Sequence, residues 1–148
     1  MTLHDIDASA VELNKSIVRD LTEKGFNQGD LAGITPYFTA DYRVNAPGVP
    51  PLPPGAGAFH AAVSLFRRAF PDIHVTIEDI SCEGELVYAR FTTRGTHTGP
   101  LMDIAPTGRP VTVYEMSCHR IVDGKVVESW IGDNVPSILQ QVGALTRS

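Results

Sequence analysis

Asp123-Gly124 lies between Ile121-Val122 and Lys125-Val126-Val127, the pattern of a two-residue type I′ hairpin. With those two residues as the loop, Val122 faces Lys125, Ile121 faces Val126 and His119 faces Glu128. Ser117 then faces Trp130, and Glu115 faces Gly132. Side chains alternate along a strand. Glu115, Ser117, His119, Glu128 and Trp130 therefore share one face with Ile121 and Val126, and Tyr114, Met116, Cys118, Arg120, Val127 and Ile131 share the other. A cavity lined by the first face would hold carboxylates for acid/base work, a hydroxyl and imidazole for hydrogen bonding, and an indole wall. A neighbouring carboxylate would favour the imidazolium of His119, and burial the neutral ring. The alternative is a solvated face on which His119 and Glu128 form an ordinary cross-strand pair.

Asp133 and Asn134 follow this strand. One of them is suited to cap the next helix; the other reading makes Asp133 an acid/base carboxylate at the cavity end of the sheet. Strict alternation puts Asp133 on the Arg120 face, so a bulge would be needed to bring it in. His97, in Gly95-Thr96-His97-Thr98-Gly99, is either a structural hydrogen-bonder at a strand end or a substrate contact. The histidines form no i, i+4 metal pair and no His-Glu-x-x-His motif. Nucleotide-binding glycine loops and Gly-x-Ser-x-Gly are also absent, so the expectation is no metal and no nucleotide cofactor.

These residues must be positioned by a chain of 148 residues and 16.0 kDa, the size of one domain over 1–148. A capping box, Ser9 to Glu12, opens a helix with Leu13, Ile17, Val18 and Leu21 on one side and Gly25 as its stop. A short helix over 31–38 and an extended piece over 42–45 follow. Pro47, Pro50, Pro51, Pro53 and Pro54 make 45–57 a stiff loop, either a surface linker or a pocket lid. Phe59, Ala62, Val63, Phe66, Ala69 and Phe70 stripe a third helix ended by Pro71. Strands follow around Ile73–Ile77, over 85–97, over 111–122 and to about Ile131, then a helix over 135–141. Helices segregated from hairpin-linked strands indicate an α+β fold, a curved antiparallel sheet with helices enclosing a pocket.

Composition narrows the function. A net charge of -5 with no basic run argues against nucleic acid. No apolar stretch is long enough to span a membrane. The first ten residues carry acids and lack an apolar core, unlike a signal peptide. Cys82 and Cys118 read as buried thiols in a reducing cytoplasm.

Several blocks resemble the SnoaL-like polyketide cyclases: Gly95-Thr96-His97-Thr98-Gly99, Ala105-Pro106-Thr107-Gly108-Arg109, Arg120 through Trp130, and Ile138-Leu139-Gln140-Gln141-Val142-Gly143. Phe26-Asn27-Gln28-Gly29 and Ala69-Phe70-Pro71-Asp72 fit the same pattern and order. The resemblance implies a nuclear-transport-factor-2-like cone, an α+β barrel whose N-terminal helices close a deep pocket. It also implies a homodimer through the outer sheet face. Its best-known members close a ring by intramolecular aldol condensation of a polyketide ester, with a carboxylate acid/base and no cofactor. The family carboxylate position falls on Asn134, where many relatives have Asp, leaving Asp133 beside it. His119 stands where relatives commonly carry an apolar residue, and Asn45 where many have histidine.

The expectation is a cytoplasmic, cofactor-independent polyketide cyclase that takes a hydrophobic small molecule. Asp133, His119 or Glu115 would be the acid/base. Trp130, Asn134, Asn45, Tyr42, Phe59, Ser117, Glu128 and His97 would bind substrate. Aldol-type chemistry and pocket-templated pericyclic closure both fit these residues. Epoxide opening, isomerisation and binding without turnover are the alternatives.

Overall fold

The computed structural model describes residues 8–47, 51–132 and 134–144. Helix α1, Ala8–Asp20, runs on through a π-helical turn, Leu21–Asn27. Its apolar stripe is buried at Ile17, Val18 and Leu21, but Leu13 faces outward, 53% exposed. Two local expectations need correction. Ala8 is already helical, so Ser9 lies within the helix instead of capping it. Gly25 does not stop the helix but lies within the π turn, where a Cβ would come 3.2 Å from Ile34 Cδ1 and 3.6 Å from Phe59. The missing side chain lets this turn press against the pocket wall. The reversal comes at Gly29, at φ +71.

Helix α2, Leu31–Ile34, is capped by the Asp30 carboxylate, which accepts the Gly33 N–H at 2.9 Å, and passes into a 3-10 turn, Thr35–Tyr37. Helix α3 spans Gly57–Ala69. The strands are β1 Phe38–Asn45, β2 His74–Glu83, β3 Leu86–Thr96, β4 Pro110–Val122 and β5 Lys125–Ile131. They form one sheet in the order β1-β5-β4-β3-β2. The α+β expectation holds, with one addition: β1 pairs with β5 in parallel, while the other neighbours are antiparallel. A parallel pair needs a long crossover, and here it consists of α3 and the β2–β4 meander. The inward side chains of the sheet pack against α1 and α3. Phe38 sits between Tyr42 and Phe59, at ring-centroid distances of 4.6 and 5.1 Å.

The β4–β5 hairpin fixes the site. Asp123 and Gly124 both have positive φ, 49° and 74°, as a type I′ turn requires. Val122 opposes Lys125 and Ile121 opposes Val126, as expected. The register then slips: Arg120 opposes Glu128, His119 opposes Ser129, Cys118 opposes Trp130 and Ser117 opposes Ile131. Val127 is the extra residue of a β-bulge. This corrects the expected inner face. Glu128 and Trp130 lie on the outer face, where Arg120 sits 5.8 Å from the Trp130 ring centroid, and Ser129 takes the inward place. The bulge spares the chain from desolvating the Glu128 carboxylate beside His119. It instead buries Val126 and Ser129, both at 0% exposure.

Beyond Ser117, the first half of β4 has no strand partner on the β5 side. Helix α4, Val135–Gln141, covers this edge. The Gln141 amide donates to Thr112 O and accepts the Thr112 N–H, each at 2.8 Å, replacing a strand's backbone pair. The docking brings Asn134, at the head of α4, over Glu115.

Candidate active site

Strand β4 delivers its inner residues to a cavity of about 370 Å³ between the sheet and helices α1 and α3. The walls are mostly apolar: Val18 and Leu21 of α1, Phe59 and Phe66 of α3, Val75, Phe91, Val111 and Val113 of the sheet, and Ile138 of α4. Ala46, Pro47 and Leu52 of the proline loop contribute at one side. On β4 the polar positions come together: Glu115, Ser117 and His119 all line the cavity, joined by Asn134. Their neighbours across β3 are Phe91, Ala89 and Val87, all buried.

Glu115 is half-buried. Burial raises the pKa of its carboxyl above the ordinary carboxylate range, and a hydrogen bond donated by Asn134 Nδ2 to Oε2 partly offsets the rise. His119 is 4% exposed, and burial pulls its pKa down to about 4. The ring is therefore neutral near pH 7, and both nitrogens are engaged. Nδ1 lies 2.6 Å from Ser129 Oγ, and Nε2 lies 3.1 Å from Ser117 Oγ. Tyr42 extends the chain, donating its phenol proton to Ser129 Oγ at 2.8 Å. Burial raises the Tyr42 pKa, so it stays a phenol.

The remaining expected residues are dispersed. Phe59 is on the cavity wall and 4% exposed. Tyr42 is fully buried behind the wall and reaches the site only through Ser129. Asn45 is exposed, donating to Glu128 Oε2 at 2.9 Å and Ser129 O at 3.1 Å, and so clasps the β1–β5 pair. Trp130, with Asn45, is absent from the cavity wall and lines an outer groove that adjoins the cavity through shared residues such as Ser117, Ile131 and Leu52. His97 is fully buried away from the cavity wall, where its Nδ1 receives the Thr107 N–H at 3.3 Å and lies 2.9 Å from Thr107 Oγ1. Asp133 lies outside the described residues.

Ser129 is the residue that sequence reasoning missed. One signal was available: the straight register places apolar Val127 and Ile131 outside while drawing Glu128 in.

The comparisons with known proteins agree with this architecture. A family model described as SnoaL-like polyketide cyclase matches residues 16–142. The chain is 28% identical over 120 residues to nogalonic acid methyl ester cyclase of Streptomyces nogalater, covering 80% of this chain and 89% of that one. It is 31% identical over 115 residues to aklanonic acid methyl ester cyclase DnrD of Streptomyces peucetius, covering 74% and 77%. Among solved structures, IdmH of Streptomyces antibioticus superposes with a TM-score of 0.75 at 31% identity, covering 88% of this chain and 98% of IdmH. AclR of Streptomyces galilaeus, a candidate hydroxylase, gives 0.80 at 27% identity, covering 93% and 85%. With its curved sheet, enclosed apolar cavity and family match over most of its length, the chain belongs to the SnoaL-like polyketide cyclases and is an enzyme of that kind.

Proposed function

We propose that the whole chain, 1–148, acts as one catalytic domain that closes a ring in a polyketide ester by intramolecular aldol condensation, with Glu115 as the acid/base. The observation that carries this reading is the position of Glu115: among the described residues it is the only carboxylate on the wall of the apolar cavity. Burial makes it a stronger base than an exposed glutamate and moves its pKa toward working pH. Its carboxylate removes a proton from a carbon flanked by carbonyls, and the enolate carbon attacks a second carbonyl of the same molecule. One carbon–carbon bond forms, and the new alkoxide takes the proton back from Glu115. Asn134 orients the carboxylate, and the apolar walls exclude water and fold the substrate. The route uses only this chain's side chains and requires no cofactor.

The relatives' names point to an acid methyl ester of the aklanonic or nogalonic type as the substrate class. Tyr88, Tyr114 and Met116 are exposed on the outer sheet face, and we assign that face to a homodimer, which native mass spectrometry tests. The reading places the enzyme in the cytoplasm, with no nucleic-acid partner. Among the described residues, no helix is long and apolar enough to cross a membrane.

The test is turnover of aklanonic and nogalonic acid methyl esters by the wild type, Glu115→Gln and Asp133→Asn. Loss of roughly 10²–10⁴-fold at Glu115, together with loss of solvent-deuterium exchange at the acidic carbon, supports the reading. Full turnover by E115Q with loss in D133N transfers the role to Asp133. Full turnover by both variants leaves closure templated by pocket shape.

A further inference from the structure

Tyr42, Ser129, His119 and Ser117 form one hydrogen-bonded chain from the buried edge of β1 to the cavity wall. The direction of its protons can be worked out from its closed end. The Tyr42 phenol is fully buried, and its hydrogen bond goes to Ser129 Oγ. Reversing that bond would leave a buried O–H without an acceptor, a costly arrangement. Ser129 therefore accepts from Tyr42; it is itself fully buried, so its own proton also needs an acceptor, and His119 Nδ1 lies 2.6 Å away. A neutral imidazole that accepts at Nδ1 carries its proton on Nε2. Nε2–H then donates to Ser117 Oγ at 3.1 Å. Ser117 has already accepted a bond, so its hydroxyl proton is left for the cavity, whose wall it lines.

We propose that this chain makes Ser117 a catalytic hydrogen-bond donor to the substrate oxygen that becomes the enolate, with Ser129 and Tyr42 as positioning residues that lock the His119 tautomer. The assignment rests on the enolate reading above. Ser117 and Glu115 are two positions apart on the same face of β4, so their Cα atoms are about 7 Å apart. A carbonyl oxygen at Ser117 and its α-carbon at Glu115 fit that spacing. No proton leaves Ser117: the hydroxyl shares it with the developing oxyanion, and the neutral ring behind it polarises the O–H. The inward turn of Ser129 by the bulge thus acquires a use, since without it Nδ1 would have no hydroxyl to accept from.

The first test needs no substrate. In ¹⁵N-histidine-labelled protein, NMR at pH 7 is expected to show His119 with a protonated Nε2 and an unprotonated Nδ1. Ser129→Ala is expected to erode that preference, and Ser129→Thr, which keeps the hydroxyl, to restore it. The second test is turnover of aklanonic acid methyl ester. Ser117→Ala is expected to lower kcat roughly 10²-fold with KM within about two-fold. S129A is expected to lose about ten-fold, with rescue by S129T. Protonated Nδ1 in the wild type, or unchanged kcat in S117A while E115Q is inactive, would overturn the proposal. If E115Q keeps full turnover while the wild type shows the Nε2–H tautomer, the aldol reading fails and the proton order of the chain stands.

Discussion

The two faces of β4 are opposite in character. Inward, Glu115, Ser117 and His119 bring a carboxyl, a hydroxyl and an imidazole into the protein interior. Outward, Tyr114 and Met116 are 74% and 66% exposed. A strand arranged for stability alone would do the reverse, burying the tyrosine and methionine and solvating the glutamate. Desolvation of Glu115 works against the fold and is retained where a cavity opens. Exposure of Tyr114 and Met116 works against solubility unless another surface covers them. In the proposed reading the same strand carries one cost for chemistry and another for association, and alternation keeps them apart.

The largest expected effect is at Glu115, where activity and stability move in opposite directions. Its folded-state pKa is raised, so its contribution to stability is complete at acid pH and is lost as pH rises through the raised value. Glu115→Gln, neutral throughout, should lose roughly 10²–10⁴-fold in kcat yet melt higher than wild type at pH 8. The two proteins should melt alike near pH 4. A variant less stable at pH 8 would show that Glu115 serves the fold.

His119 has the opposite sign. Burial lowers its pKa from 6.5 to about 4, so its contribution is intact above pH 6.5 and declines as pH falls toward 4. The loss is on the order of 3 kcal/mol. Denaturant titrations of wild type and His119→Gln between pH 7 and 4 should show the wild type losing more stability. Parallel pH profiles would mean that the imidazole is not desolvated.

A smaller effect is expected at Asn134. Its amide donates to Glu115 and holds the carboxyl pKa down. Asn134→Leu should move the acid limb of the kcat/KM profile to higher pH and lower activity about three- to ten-fold at pH 6. An unmoved limb would assign that limb to another group. The smallest effect is expected at Trp130. Trp130→Phe should change turnover of aklanonic acid methyl ester less than about two-fold, because the ring lies in the outer groove. A large loss there would undo the division between the two faces.

The legibility of the chain followed the range of each interaction. The Asp123-Gly124 turn, the α3 stripe ended by Pro71 and the α4 segment rest on local chemistry, and all three lie where the sequence puts them. The inner set on β4 follows from alternation and is correct at Glu115, Ser117 and His119. Within the hairpin, errors began where alternation had to be carried across a second strand, while the Ser9 capping box failed on α1 itself. One extra residue at Val127 reverses Glu128, Ser129 and Trp130 together, and no residue near it requires a bulge by its own conformational preference. The parallel β1–β5 pairing and the passage of α1 through Gly25 are likewise set by distant partners. Asn45 lies one residue past Val44, which faces the cavity, and that single step puts it outside.

The bulge at Val127 also bears on how such a pocket can diversify. Which residues of β5 reach the interior is a matter of parity, so loss of the bulge with the chain length unchanged exchanges the whole set in one step. With the bulge the interior receives a hydroxyl from Ser129, and in a straight register of the same length it would receive a carboxylate and an indole from Glu128 and Trp130. Strand β4, the turn and the helices need not change. A lineage built on this hairpin can therefore sample two chemically distinct pocket walls by gaining or losing one bulge, a route that position-by-position comparison of residues would overlook.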